Sequence, residues 1–296
     1  MEIIATAEET SKLKKQHAGK AFIVFPEHRE YAIRMKNDLP YRWIKAGAQS
    51  SFVGETRRGE YYAYQLGVYA LHKLQDVRIQ FSDLKLSDGR NVISSSKSTC
   101  INTNGLTYDA KPLNKIIDID GNCVQALWCG IDVPKNITPG NYTGTATVKA
   151  KNEKPQVIKI ILKVSNAIIA NGGVDEPWKM TRLKWLNSDL VQQNKVIKPY
   201  TALEVKGNSI NLLGRNIQLN EKGFPEQIET FFTPEMTGYA TSPNKVLAAP
   251  IEWIAETNAK NENLKFTGTR FIDKKPGTVS WKSAGTAGSL KMEVTA

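Results

Sequence analysis

Short segments that are apolar throughout, or that alternate apolar and polar residues with a period of two, recur along this chain. The clearest stretch runs from Val124 to Val148, VQALWCGIDVPKNITPGNYTGTATV. From Val124 to Val133 both parities are largely apolar: Leu127, Cys129, Ile131 and Val133 on one, Val124, Ala126 and Trp128 on the other. That pattern predicts a central strand covered on both faces. Pro134–Asn141 carries two prolines and a glycine, which punctuate a strand and cannot continue it. Tyr142, Gly144, Ala146 and Val148 then alternate with Thr143, Thr145, Thr147 and Lys149. This is a strand with one wet face, and the whole is a β-sandwich hairpin.

The same signal recurs. Phe22–Phe25 opens the β pattern, and Tyr61–Ala70 is aromatic and β-branched enough for a strand. Val77, Ile79 and Phe81 alternate with Arg78 and Gln80, and Ser87–Asp88–Gly89 makes a turn. Ile116–Ile119 is short and apolar. Ile158, Ile160, Leu162 and Val164 alternate with Lys159, Ile161 and Lys163. Residues 6–17 predict a short charged helix, and little else has helical periodicity. Asn171–Gly172–Gly173 marks a boundary. After it, VDEPWKMTRLKWLNSD packs Trp178, Trp185, Lys179, Arg182 and Lys184 into a short span. Strand-like segments resume at 201–205, 210–213 and 217–219, with later apolar segments at 246–249, 266–271, 278–281 and 290–294.

These elements predict an all-β protein of two antiparallel β-sandwich domains. Residues 1–19 read as an N-terminal extension and 20–170 as the first, immunoglobulin-like sandwich. Residues 171–296 read as a second sheet domain of the larger, supersandwich type, either complete or truncated. A sheet edge left unpaired by truncation would invite self-association.

Length agrees with two domains: 296 residues, 41% of them apolar. No run of about 18 apolar residues is present, so no membrane-spanning helix is predicted. MEIIATAEETSKLKKQHAGK lacks the apolar core of a signal peptide, so the chain is expected to be cytosolic or a piece of a longer exported protein. The net charge of +11 invites a nucleic-acid reading. The lysines, however, are scattered through strands and turns, with no basic helix or aromatic-basic signature, so no nucleic-acid partner is expected. Spread lysines also protect sheet edges.

Candidate chemistry is sparse. Cys100, Cys123 and Cys129 form no CxxC pair, which argues against zinc. Cys123 and Cys129 on one strand would lie about 20 Å apart, too far for a disulfide. Cys100 can pair with either, or all three can be small buried hydrophobes. His17, His28 and His72 belong to no HxH or HExxH array, and no metal or other cofactor is expected. His28 reads as a surface hydrogen-bonding residue. Asp118 and Asp120 share a strand face and read as the rim of a hairpin, with help in binding a cation as the alternative. Asp175–Glu176 is an adjacent acidic pair with aromatic company, but loop neighbours lack the fixed separation of glycosidase carboxylates. No GxSxG, GxGxxG or P-loop string occurs. Tyr61, Tyr62, Trp178 and Trp185 remain as rings that can stack on sugar faces, with core packing as the competing role. Arg182 and Arg215 read as interdomain hydrogen-bond donors.

Several strings together resemble a known family: RRGEYYAYQLGVYA, DVRIQFSDL, CINTNGL, the 124–148 hairpin, EPWKMTRLKWLNSD and NLLGRNIQLNEKGFPEQI. In that order they are similar to the N-terminal region of bacterial glycoside hydrolase family 123-like proteins. The resemblance covers about residues 20–230. It implies a large exported polysaccharide-degrading parent, periplasmic, cell-surface or extracellular, with β-sandwich domains ahead of a catalytic (β/α) barrel. The family's catalytic aspartate–glutamate pair lies in the barrel, and no alternating βα pattern occurs here, so the resemblance assigns no catalytic residue to this chain. The implied role is a non-catalytic portion that supports a downstream barrel or contacts glycan. A self-contained N-acetylhexosaminidase-type hydrolase and a structural or adhesive surface module are the alternatives.

Overall fold

The computed structural model describes residues 2–257, 260–262 and 264–296. The chain is mostly β and divides into two compact units, Met1–Asp189 and Leu190–Ala296.

In the first unit, helix α1 spans Ala7–Gln16. Thr6 caps it: Glu9 N donates to the Thr6 hydroxyl at 3.2 Å, and Thr6 N donates to the Glu9 carboxylate at 2.8 Å. There follow β1 (Phe22–His28), α2 (Tyr41–Ala46), β2 (Ser51–Arg58), β3 (Tyr61–Ala70), β4 (Arg78–Phe81), β5 (Leu84–Leu86), β6 (Val92–Ile93) and β7 (Ser98–Cys100). The hairpin β8 (Asn104–Leu106)–β9 (Pro112–Asn114) precedes β10 (Val124–Asp132), β11 (Gly140–Lys149) and β12 (Gln156–Ile168). One sheet is ordered β1-β3-β10-β7 and is antiparallel throughout. The other is ordered β2-β12-β11-β5-β6, with β4 also on β11. Its β2–β12 pair is parallel, an exception to the all-antiparallel expectation. The chain leaves β2 directly for β3 in the opposite sheet, turning at Gly59 with φ +80°. The neighbour of β2 must therefore come from far along the sequence, in the direction the β11–β12 hairpin sets.

The alternating residues meet between these sheets. Ile158, Ile160, Leu162 and Val164 of β12 pack with Tyr62, Tyr64, Leu66 and Val68 of β3 and with Leu127, Cys129 and Ile131 of β10. Lys159 and Lys163 face water. Tyr142 anchors the start of β11, its hydroxyl donating to Thr138 O at 2.7 Å, as the corner tyrosine of immunoglobulin-like sandwiches does.

All ten residues of β3 are buried because its back is covered too. Leu13 of α1, Trp43 of α2 and Leu39 just before α2 pack there against Ile23, Phe25, Tyr69 and Val124. Trp43 stacks on Phe25 with ring centroids 4.5 Å apart, and Gly67 leaves room for its ring where any Cβ would collide. Residues 1–19 are therefore not an extension but part of the first unit, because Leu13 is buried in this second core. Strand β10 is central, as its sequence predicts. Its back face is only half covered, since the helical cover reaches it at Val124 but leaves Ala126 and Trp128 partly exposed.

The expected boundary at Asn171 also moves, to Asp189. The intervening segment is tied down by charge. Glu60 is 0% exposed; its carboxylate meets Arg29 Nη1 at 2.6 Å, Arg57 N at 3.2 Å and Lys179 Nζ at 3.5 Å. Arg29 also donates to Lys179 O at 3.1 Å and lies over the Tyr62 ring, 4.7 Å from its centroid. Glu176 pairs with Arg57 at 3.1 Å, and Lys184 donates to Asp132 at 2.9 Å. The Thr181 hydroxyl donates to Gly173 O at 2.8 Å.

In the second unit, after a short α3 (Leu190–Gln193), β13 (Glu204–Lys206), β14 (Ser209–Leu212), β15 (Arg215–Leu219), β16 (Pro225–Phe232) and β17 (Tyr239–Lys245) form an antiparallel meander. A two-stranded ladder, β18 (Ala255–Thr257) with β19 (Lys260–Glu262), follows. A second sheet contains β20 (Lys265–Phe266), β21 (Arg270–Lys275), β22 (Thr278–Ala287) and β23 (Leu290–Thr295). The two main sheets are tied by Trp281 Nε1 donating to Gly223 O at 2.9 Å and Thr269 Oγ1 to Asn220 O at 2.8 Å. Only Ile210 and Leu219 are buried apolar residues among those described here. With 171–189 in the first unit, the second spans Leu190–Ala296. The apolar segment at 246–249 is not a regular strand. Val246 N bonds Ile228 O, but at Leu247 the Gln227 side-chain amide takes over both backbone groups, at 2.9 and 3.0 Å.

Truncating a core side chain separates the two faces of this design. Leu66→Ala is expected to cost about 2–5 kcal/mol in urea unfolding. Lys159→Thr, on the wet face of β12, should change stability by less than about 0.5 kcal/mol. Glu60→Gln leaves Arg29 and Lys179 as buried charges without their carboxylate and is expected to cost about 3–5 kcal/mol. Limited proteolysis should then cut first within 171–189 in the variant and not in the parent.

Candidate functional site

The aromatic residues singled out by sequence separate by burial. Tyr61 and Tyr62 are buried, which corrects the expectation that they contact glycan. The Tyr61 ring lies across Gly130 of the neighbouring strand, a place only glycine allows, and its hydroxyl bonds Thr99 Oγ1 at 2.8 Å. Tyr62 packs between Tyr64 and Phe52, and burial pushes its phenol well above the ordinary range. Neither ring offers a face to solvent.

Trp178 and Trp185 do the opposite. They are 63% and 57% exposed, on two consecutive 3-10 turns, Pro177–Lys179 and Thr181–Asn187. The neighbours of these indoles in sequence are the anchors: Lys179 goes inward to Glu60, Thr181 back to Gly173 and Lys184 to Asp132. Leu106 N also donates to Asn187 Oδ1 at 3.3 Å. Arg182 donates to Val174 O at 3.1 Å and lies over the Trp185 ring, 5.5 Å from its centroid. Arg215 lies 5.1 Å over Phe232 inside the second unit. Both arginines, expected to donate between domains, are engaged within their own unit. Their bonding groups find partners nearby in sequence or across one strand.

Sequence reading missed a second feature. A hollow of about 660 Å³ opens beside α2, lined by Glu2, Glu30, Tyr31, Tyr41 and Arg42 among others. The guanidinium of Arg42 lies 5.0 Å over the exposed Tyr31 ring, donates to Glu27 Oε2 at 2.7 Å and pairs with Glu2. Trp43 Nε1 also donates to Glu27 Oε2, at 2.8 Å. Burial raises the Glu27 carboxyl above its ordinary range, opposed by the bonds from Trp43 and the His28 backbone. Glu30 is exposed and lies 3.9 Å from Arg29 Nε. The string EHREYAIRMKNDLPYRW has no periodicity, so only its density of aromatic and charged residues could have signalled the hollow.

The remaining polar candidates are held in local contacts. Asp175 accepts from Asn171 Nδ2 at 2.6 Å, and Glu176 pairs with Arg57 and Lys179. Asp118 and Asp120 are not on a strand face. They flank Ile119, which makes a single bridge to Leu74, and Asp118 accepts from Asp76 N at 2.9 Å. The His28 ring packs on Phe52 at 4.8 Å, and His72 Nε2 lies 2.8 Å from Glu153. Among the described residues no cluster of three or more His, Cys, Asp or Glu side chains is arranged to hold a metal, and no helix is long and apolar enough to cross a membrane.

Comparison with known proteins places both units. Residues 203–296 match the model of the glycoside hydrolase 123 third domain, and residues 101–150 match that of the glycoside hydrolase 123 N-terminal domain. No curated protein matches. Among solved structures, a family 123 glycoside hydrolase from Clostridium perfringens, studied for glycolipid glycan hydrolysis, is 18% identical with a TM-score of 0.41. The match covers 50% of this chain and 28% of that one, so this chain spans under a third of that enzyme's length. The periplasmic chaperone SfaE is 10% identical with a TM-score of 0.26, covering 83% of this chain and 96% of that one. The E. coli chaperone DraB is 12% identical with a TM-score of 0.27, covering 83% and 95%. One such domain match falls in each of its compact units, which supports a glycoside hydrolase 123-like protein.

Proposed function

We propose that this chain is the non-catalytic β-sandwich portion of an exported, carbohydrate-active protein, and that it contacts glycan through Trp178 and Trp185. The observation that carries the reading is the exposure of two indoles on turns anchored through Lys179 to buried Glu60, through Thr181 to Gly173 and through Lys184 to Asp132. Exposed rings of this size are costly to leave in water without a partner, and their faces match the apolar faces of sugar rings. Rigid anchoring lowers the ordering cost of binding. The two domain matches support a glycoside hydrolase-related parent. Cleavage of a glycosidic bond needs two carboxylates flanking it, about 5–10 Å apart. The acidic residues beside the indoles, Asp175 and Glu176, are instead bonded to Asn171, Arg57 and Lys179.

A self-contained hydrolase is the second reading, favoured by one observation: Glu2 and Glu30 both line the hollow beside α2. Against it, Glu2 is paired with Arg42, which leaves Glu30 as the more available acid.

Binding and hydrolysis assays separate these readings. Purified protein on a glycan array, followed by calorimetry with the best ligand, is expected to show binding. Trp178→Ala and Trp185→Ala should each weaken it by roughly 2- to 10-fold, while Tyr61→Phe leaves it unchanged. An array without a hit would remove the glycan contact. Incubation with glycolipid glycans is expected to release no sugar. Release that disappears in Glu30→Gln would establish the second reading in place of the first.

A further inference from the structure

Cys100 and Cys129 stand far apart in sequence, yet the β7–β10 register sets them directly opposite each other. Ile101 N donates to Trp128 O at 2.9 Å, so residues 101 and 128 are a hydrogen-bonded pair. Pairs alternate along an antiparallel ladder, which makes Cys100 and Cys129 a non-hydrogen-bonded pair. At such pairs the Cα atoms lie about 4.5 Å apart and the side chains are at their closest. That separation is within the roughly 4.4–6.8 Å that a disulfide spans. Both side chains point into the sandwich core and are 1% and 0% exposed. The facing Cys129 thiol is the main cause that lowers the Cys100 thiol to about 7 despite its burial, and Cys129 Sγ also donates to Leu127 O at 3.6 Å. Burial pushes the Cys129 thiol well up. Cys123 is set apart: it precedes β10, is partly exposed, and its Sγ lies 3.6 Å from Asn37 Oδ1.

All three cysteines are thiols in this structure. We propose that Cys100 and Cys129 close a cross-strand disulfide when the chain folds in an oxidising compartment, with Cys123 remaining a thiol. The pairing strand β7 is an edge strand held by three registered pairs, so the bond would fasten the end of this sheet. The oxidant is a small-molecule or protein disulfide. One cysteine thiolate attacks it and forms a mixed disulfide, releasing one thiol. The second cysteine then displaces the other thiol. One S–S bond forms in the protein and one is broken in the oxidant, which takes up two electrons and two protons. The inference does not depend on any glycan.

The test is to unfold the protein in urea with reductant, then refold it in a buffer of reduced and oxidised glutathione. Free thiols are alkylated in denaturant, and the digest is mapped by mass spectrometry. The expected result is one alkylated residue, Cys123, and a linked pair of peptides carrying Cys100 and Cys129. Cys123→Ser should retain that link, which keeps the test independent of core substitutions. The oxidised form should melt roughly 5–10 °C above the reduced form. Three alkylated cysteines after refolding, or a link through Cys123, would overturn the pairing. An oxidised form melting no higher than the reduced one would overturn its role as a fastening.

Discussion

The first unit is organised around one buried carboxylate. Glu60 sits at the turn between β2 and β3, where the chain crosses from one sheet to the other, and is fully excluded from water. A lone carboxylate there would be too costly to tolerate. Arg29 from the end of β1, the backbone of Arg57 and Lys179 from the 3-10 segment all converge on it. Removing any one partner leaves the others desolvated and uncompensated, so these three parts of the chain form one cooperative arrangement. Its effect is positional: it fixes where the segment after β12 runs.

That placement produces the surface around Trp178 and Trp185. Short 3-10 turns have little intrinsic stability. Here Lys179 and Thr181 point inward to charge and backbone partners, Lys184 pairs with Asp132 at the surface, and the indoles are left outside. The hollow beside α2 arises differently. Trp43 and Leu39 cover the back of β3, and the connection between β1 and α2 must loop around them, carrying Tyr31 and Glu30 to its rim. Arg42 ties that rim to buried Glu27. Both surfaces are by-products of covering a sheet whose front face is already packed.

The two units differ in what holds them. In the first, a continuous apolar layer lies between two sheets and a second small core lies behind one of them. In the second, few apolar side chains are buried, and hydrogen bonds from Trp281, Thr269 and Ser283 to backbone carbonyls join the sheets. The second unit is therefore expected to open more readily in local fluctuations.

Period-two patterning was enough to locate β11 and β12, because a strand with one buried face must alternate, and continuous apolar and β-branched runs located β3 and β10. The charged run at 6–17 likewise marked α1, though not its Thr6–Glu9 cap. Local pattern also exposed the resemblance in RLKWLNSD and the 124–148 hairpin. It could not tell Tyr61 and Tyr62 from Trp178 and Trp185: all four are large rings, and burial is a property of what packs against them. Nor could it give the parallel β2–β12 pairing, the partners of Glu60, the hollow beside α2, or which cysteine faces Cys100. Each of these depends on register and on contacts between residues distant along the chain, and only the folded arrangement of the sheets decides those.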